Sequence, residues 1–457
     1  MNKVLVFVAL MSLFACTKAK DSVSIPITTN TDTAQFGTPY TNIPSTTEIV
    51  LYEINERAYS ASGNFAGITQ RLDSIKALGV NTIWLMPINP IGLINTVNSP
   101  YCVRDFRSLN CEFGTMTDLR NLVIAAHSKN IAVMLDWAAN QTSWDNPWII
   151  AHKNWYRQDA NGNIVTPNSI FLDVAQLDFT NMEMRNEMIA CMKYWVHAAN
   201  IDGYRCDFAD NVPDDFWQQA IDSLNNITPS RKLILLAEGY NVGHLNAGFQ
   251  MNFGSGFYDG LVQVFSTSSP QPATLLYTKN TEEYTGVIAG KQRLRFTSNH
   301  DYSAFNGTPM VVFGGKQGSL AALVATFYMA GVPLIYGSQE VGTTNSVSFF
   351  NNSTPINWNA NSDMVQEYKK IIALRSASAP LKTGVLTTYP DNHIVCYTRT
   401  IGNSSFLVLV NVRNTSKTFS VPTALQGSWT NAFDSTKSVV LGSTQSMNAY
   451  QYLVLKK

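Results

Sequence analysis

The chain is 457 residues long, and its 32 Lys and Arg balance 32 Asp and Glu, so the formal net charge is zero. Charged residues make up only 14%, against roughly 25% in an average soluble protein, which leaves no basic footprint for nucleic acid. Hydrophobic residues at 45% suffice for a large core, and 23 Phe, 19 Tyr and 9 Trp leave aromatic surface of the kind that flat sugar rings use.

The N-terminus reads as a targeting segment. Lys3 supplies a positive charge, and Val4 to Phe14 form an apolar run of signal-peptide length, too short to span a bilayer. It ends in Leu13-Phe14-Ala15-Cys16, which resembles the lipobox at which bacterial lipoprotein signals are cut before an acylated cysteine. Residues 1–16 are therefore expected to be a lipoprotein signal with Cys16 lipidated; an ordinary secretory signal is the alternative. Residues 17–47, rich in Thr, Ser, Asn and Pro, read as a flexible tether. The expected location is the cell envelope, anchored in the outer membrane, or otherwise secreted. Among the other cysteines, Cys102 and Cys111 lie close together in a loop-like stretch that permits pairing in an oxidising compartment. Cys191, Cys206 and Cys396 sit in apolar patterns and read as buried thiols. No CxxC spacing occurs, so neither a zinc site nor a redox motif is supported.

From Glu48 onward, short β-rich runs alternate with helical patterns. The runs are Ile49–Ile54, Val80–Met86, Ile131–Asp136, Ile201–Asp207, Leu233–Glu238, a diffuse one near Phe257–Val264, Leu294–Ser298 and Pro333–Tyr336. With helical stretches such as Asp118–Lys129, Met184–Ala199 and Asp214–Leu224 between them, they predict a (β/α)8 TIM barrel over 48–378. Residues 140–180 are too many for a simple loop after the third strand and predict a small inserted subdomain. Leu320 to Tyr336 is almost uncharged, but Gly331 and Pro333 break it into a buried helix and a strand. Residues 379–457 lose helical periodicity and predict a C-terminal antiparallel β-sandwich.

In such barrels the active site lies at the C-terminal ends of the strands. Asp136, Asp207 and Glu238 end strands three to five, and Asp301 follows strand seven. Any one of them alone suits a helix cap or a loop salt bridge. Several like charges converging on one mouth in a sparsely charged chain point to chemistry.

Four motifs in order carry a resemblance. Asp136-Trp-Ala-Ala-Asn140-Gln141, Gly203-Tyr-Arg205-Cys-Asp207, Leu235-Leu-Ala-Glu238-Gly and Phe296-Thr-Ser-Asn299-His300-Asp301 resemble the conserved regions of glycoside hydrolase family 13, the α-amylase family. Ser99-Pro-Tyr101-Cys-Val-Arg104-Asp105 and Gln176-Leu-Asp178-Phe-Thr-Asn181 fit as supporting stretches. The resemblance implies a retaining glycosidase acting on α-1,4-linked, starch-like glucans or maltooligosaccharides. It makes Asp207 the nucleophile, Glu238 the general acid and base, and Asp301 the stabiliser of the distorted sugar. Arg205 is expected to keep Asp207 ionised, and the anions Asp207 and Asp301 to raise Glu238. His300, Tyr101, Asn299 and Gln141 are implied as contacts to the sugar, with Tyr101 stacking on its ring. Trp144, Trp148 and Trp155 of the insert either extend that surface or pack inside the fold.

The pattern also departs from the family. Gln141 stands where a histidine closes the first motif, and Asp210-Asn211 stand where Lys-His is common. Asn140 matches a calcium ligand of the family, and Asp145, Asp159 and Asp173 are further oxygen donors in the insert, but without the histidines a structural calcium is not expected. No cofactor is needed for the chemistry. A transglycosidase or an oligosaccharide α-glucosidase would use the same carboxylates. A non-catalytic glucan-binding surface lipoprotein is the reading from another class, and retention of Asp207, Glu238 and Asp301 together argues against it. The expected form is a monomer whose partners are the glucan and, through Cys16, the membrane.

Overall fold

The computed structural model describes residues 33–227, 231–350 and 354–457. Cys16 and the first part of the expected tether lie outside the described residues. Eight parallel strands close into a barrel in the order 1-8-7-6-5-4-3-2. They are β1 Leu51–Ile54, β2 Thr82–Leu85, β3 Ala132–Trp137, β4 Gly203–Cys206, β5 Ile234–Ala237, β6 Met251–Phe253, β7 Gln292–Phe296 and β8 Val332–Tyr336. Parallel strands are covered on both faces, so they read as continuous apolar runs, and β3 is buried at all of its positions. Gly203 opens β4 because the chain there runs against β5: a Cβ at this position would lie 1.9 Å from the Ile234 carbonyl oxygen.

The sixth strand corrects the sequence reading. The expected run Phe257–Val264 belongs to a helix, Ser255–Phe265, and the strand is the shorter Met251–Phe253 before it. Phe257, Tyr258, Leu261, Val264 and Phe265 recur at helical spacing, and all are buried. The helix Met116–Ser128 begins with a reciprocal capping box between Thr115 and Asp118. Gly315–Met329 forms the expected apolar helix, followed by β8.

Residues 33–47 also differ from a free tether. Phe36 N donates to the His197 carbonyl at 2.8 Å, Asn200 Nδ2 donates to the Thr38 carbonyl, and Tyr40 stacks on His127 at 4.3 Å. Phe36 and Tyr40 supply the apolar surface that polar composition alone conceals. Cys102 is a buried free thiol whose Sγ donates to the Asp173 carbonyl, so the pairing with Cys111 is not made.

The insert carries a two-stranded ribbon, Gln141–Ser143 with Val174–Gln176, and a short helix Pro147–Ala151. Beyond the barrel, a six-stranded antiparallel sheet runs in the order Val385–Thr388, Ile394–Ile401, Ser404–Asn411, Tyr452–Lys456, Gly427–Asn431, Ser438–Leu441. One of its faces packs Cys396, Leu407 and Leu409 against Phe419 and Met447 of a two-stranded sheet, giving the second layer. The other face turns Val395, Tyr397, Val408 and Val410 into the main core. Alternation along each strand sends neighbouring residues to opposite faces, which is how one sheet serves two cores.

Candidate active site

The site is built around one guanidinium. Arg205 lies on β4 with its side chain wholly buried. Its Nη1 donates to Asp136 Oδ1 at 2.7 Å and to Asp207 Oδ1 at 2.9 Å, and its Nη2 lies 2.8 Å from Glu238 Oε1. The rings of Trp84, Phe253 and Tyr101 surround it at 4.9, 5.6 and 5.6 Å. A planar fork can serve several carboxylates at once, which a lysine cannot do. Asp136, expected as a structural residue of the mouth, also accepts from Trp84 Nε1 and the Tyr101 hydroxyl, both at 3.0 Å. It is a clamp that fixes Arg205 from behind.

Asp207 and Glu238 leave adjacent strands at the same level. Asp207 N donates to the Trp137 carbonyl at 2.9 Å and Glu238 N to the Cys206 carbonyl at 2.8 Å, so each continues the ladder one step beyond its strand. Both carboxylates face the same guanidinium, Asp207 Oδ1 on Nη1 and Glu238 Oε1 beside Nη2. Phe208, next to the nucleophile, adopts a left-handed backbone with φ 48°, uncommon for a residue with a side chain. That turn aims its N–H at Glu238 Oε2, 2.8 Å away. Asp301 sits in the first turn of the helix His300–Phe305, with its carboxylate 3.4 Å from His300 Nε2. It is the most open of the acids, with a side chain 39% exposed against 23% for Glu238 and 12% for Asp207.

The charge distribution reverses the expected one. Burial, with Glu238, Asp136 and Asp301 nearby, pushes Asp207 well above the usual carboxylate range in spite of Arg205. Burial also acts on Glu238, but Arg205 and the Phe208 N–H outweigh it and hold Glu238 low. The two titrate as a unit. Sequence reasoning assigned Arg205 to Asp207 because they are neighbours on one strand; it had no means of showing that Nη2 reaches across to β5.

The remaining expected contacts separate. His300 and Tyr101 stand together, ring centroids 5.4 Å apart and the Tyr101 hydroxyl 2.8 Å from His300 Nε2, so Tyr101 has His300 as its stacking partner. Asn299 is 1% exposed and caps the following helix by accepting from Tyr302 N at 2.8 Å. That bond fixes the start of the helix that carries His300 and Asp301. Gln141 is buried in the insert's ribbon and accepts from Asn140 Nδ2 at 2.9 Å. Trp155 is buried between His152 and Trp148, and Trp148 packs on Phe106, so these two belong to the core. Trp144 donates from Nε1 to the Leu172 carbonyl at 2.9 Å. Asp210 accepts from Tyr240 N and Asn241 N and so ties down the loop after Glu238.

Calcium takes six to eight oxygens. Asn140 Oδ1 is buried and makes no hydrogen bond to protein, but among the described residues no group of three or more His, Cys, Asp or Glu is placed to hold a metal ion.

Two residues were missed. Glu53, at the end of β1, binds His300 Nδ1, and Phe349 sets its ring edge-on to both Tyr101 and His300. Phe349 had no signal, since its segment has neither pattern nor motif.

A family model described as alpha amylase, catalytic domain, matches residues 28–380. The chain belongs to the α-amylase family. An α-amylase of Haloarcula japonica is 25% identical over 407 residues, 83% of this chain and 57% of that protein. A cyclomaltodextrin glucanotransferase of a Bacillus species is 24% identical over 412 residues, 80% of this chain and 56% of that protein. The chain thus spans little more than half the length of these two curated relatives. An α-amylase structure from Lactobacillus plantarum is 26% identical with a TM-score of 0.80, covering 90% of this chain and 99% of that one. Within the α-amylase family, the match takes in the barrel and the insert, where Asp207, Glu238 and Asp301 lie.

Proposed function

We propose that this chain hydrolyses α-glucosidic, mainly α-1,4, bonds of starch-like glucans or maltooligosaccharides with retention of configuration. The observation that carries this is the gathering of Asp207 Oδ1 and Glu238 Oε1, from adjacent strands, on one guanidinium at 2.9 and 2.8 Å. Carboxyl groups drawn together in this way leave no room for a water between nucleophile and sugar, so the carboxylate itself attacks the anomeric carbon. Glu238 in its acid form gives its proton to the glycosidic oxygen as the bond breaks. Asp207, as the anion held by Arg205, forms the glycosyl ester. Glu238 then draws a proton from water, which displaces Asp207 and returns the starting configuration. Asp301, the open acid beside His300, stabilises positive charge on the ring in both steps.

Proton NMR of fresh hydrolysate from maltopentaose, read before mutarotation, tests this directly. An α-anomeric first product is expected; a β-anomer refutes the assignment of Asp207.

A second reading is transfer to another sugar. It is favoured by the exposed rings of Phe171, packed at 5.9 Å against Phe208, and Tyr240, 70% exposed two residues after Glu238. Each stands next to a residue of the acid pair's loops and offers an open ring on which an acceptor sugar could stack. A ladder of products longer than the substrate selects this outcome; reducing ends released without longer products select hydrolysis.

The export reading rests on Leu13-Phe14-Ala15-Cys16. Cys16 is proposed as the acylated residue, holding the protein at the envelope. Cys16→Ser is expected to move the protein from the membrane to the soluble fraction, because the acyl chains supply the anchoring free energy. Identical fractionation of the two forms rejects the anchor.

A further inference from the structure

His300 is enclosed on every side. Its Nδ1 faces Glu53 Oε1, its Nε2 faces the Tyr101 hydroxyl and Asp301 Oδ2, and Tyr101, Trp84 and Phe349 wall the ring. Glu53 lies on β1, wholly buried, and its second oxygen makes no hydrogen bond to protein. A lone carboxylate inside a barrel strand costs stability, and in this one His300 is the sole hydrogen-bonded side chain. A neutral glutamine would fill the same space at lower cost if packing were the whole purpose.

We propose that Glu53 is a positioning residue of the glucan-cleaving site: its carboxylate fixes the His300 ring as a donor at both nitrogens and thereby turns the Tyr101 hydroxyl proton toward Asp136. Tyr101 has one proton to give and two acceptors in reach, His300 Nε2 at 2.8 Å and Asp136 Oδ2 at 3.0 Å, while Arg205 Nη1 donates to its oxygen at 3.4 Å. When His300 donates from Nε2, the Tyr101 oxygen accepts and its proton goes to Asp136. When His300 is neutral with its proton on Nδ1, Nε2 takes the Tyr101 proton and Asp136 loses that bond. Asp136 is the clamp on Arg205, so the state of His300 is relayed to the guanidinium that holds Asp207 and Glu238. The groups facing His300 are Glu53 from β1, Tyr101 from the loop after β2, Asp136 from β3, Arg205 from β4, Glu238 from β5 and its neighbour Asp301. Burial alone lowers the imidazole, but Asp301 and Glu53 outweigh it and bring it to about 9. The donor form therefore holds at neutral pH and is lost as pH rises through that value.

The inference rests on the glucan-cleaving reading for its purpose but not for its test. Histidine 15N–1H correlation spectra of the full chain, with the His300 signals assigned through His300→Gln, follow both ring nitrogens against pH without substrate. In the wild type His300 is expected to stay doubly protonated through pH 8. In Glu53→Gln the midpoint is expected to move about 1–3 pH units toward acid, as for removal of an adjacent opposite charge. KM for maltopentaose at pH 8 should rise about tenfold in that variant, with a smaller change at pH 6. A wild-type His300 that titrates as an ordinary imidazole overturns the proposal, whether or not the variant folds. So does an unchanged midpoint in Glu53→Gln. A wild type inactive on every α-glucan, with the His300 titration as expected, instead rejects the glucan-cleaving reading.

Discussion

Glu238→Gln is expected to lower kcat on maltooligosaccharides by about 10²–10⁴-fold, the usual contribution of a positioned acid, while the substrate still binds within a few-fold of wild type. The amide keeps the shape and still accepts from the Phe208 N–H, but it cannot carry a proton to the leaving oxygen. A second effect follows from the coupling. With the charge at 238 gone, Asp207 loses one of the anions that push it up, and Arg205 is left to serve Asp207 and Asp136. Asp207 should then ionise at lower pH than in the wild type, so the acid limb of the residual activity should move down. Initial rates across pH, alongside isothermal titration with maltopentaose, check both. Activity above a few per cent of wild type places the acid elsewhere.

Arg205→Met is expected to be worse for the fold than for any single contact. It removes the counter-charge of Asp136, Asp207 and Glu238 together, and breaking a buried pair from one side costs about 3–5 kcal/mol. Part of that loss is relieved if the acids take up protons, which makes the variant comparatively more stable in mild acid. Urea unfolding at pH 7.5 and pH 5 measures this: the deficit against wild type should shrink at the lower pH. Arg205→Lys separates charge from geometry, because a point charge cannot bridge three carboxylates on three strands. Its stability should lie between the two with turnover still low. Wild-type stability in Arg205→Met would mean that the acids are not held as anions by this side chain.

Much of this arrangement was legible in the sequence. The barrel followed from the alternation of runs and helices, and the acids followed from their places at strand ends. Strand β6 escaped because three residues are too few to show a period, while the helix after it begins within two residues and supplies a long apolar run. The path of residues 33–47 was hidden because two aromatic anchors do not alter a polar composition. Glu53 did leave a trace, a carboxylate within the apolar Leu51-Tyr-Glu53-Ile run, but its meaning depends on His300, 247 residues away. The reach of Arg205 across to Glu238, and the left-handed turn at Phe208 that aims an N–H at the same carboxylate, left no trace at all.

The two-faced C-terminal sheet bears on how the polypeptide comes to be assembled. The helix Gly315–Met329 is apolar nearly all round, and its outer side is covered by strands that follow it, with the Tyr397 hydroxyl donating to the Ala325 carbonyl and Arg399 to that of Met329. Tyr450 closes over Gly314 and Gly318. A nascent chain that has emerged only as far as β8 therefore holds a complete set of barrel strands and a bare greasy flank. Tyr452–Lys456 pairs with Ser404–Asn411 and completes the sheet that supplies this cover. The barrel's flank and the sheet's inner face are thus two sides of one core, and neither can be removed without baring the other.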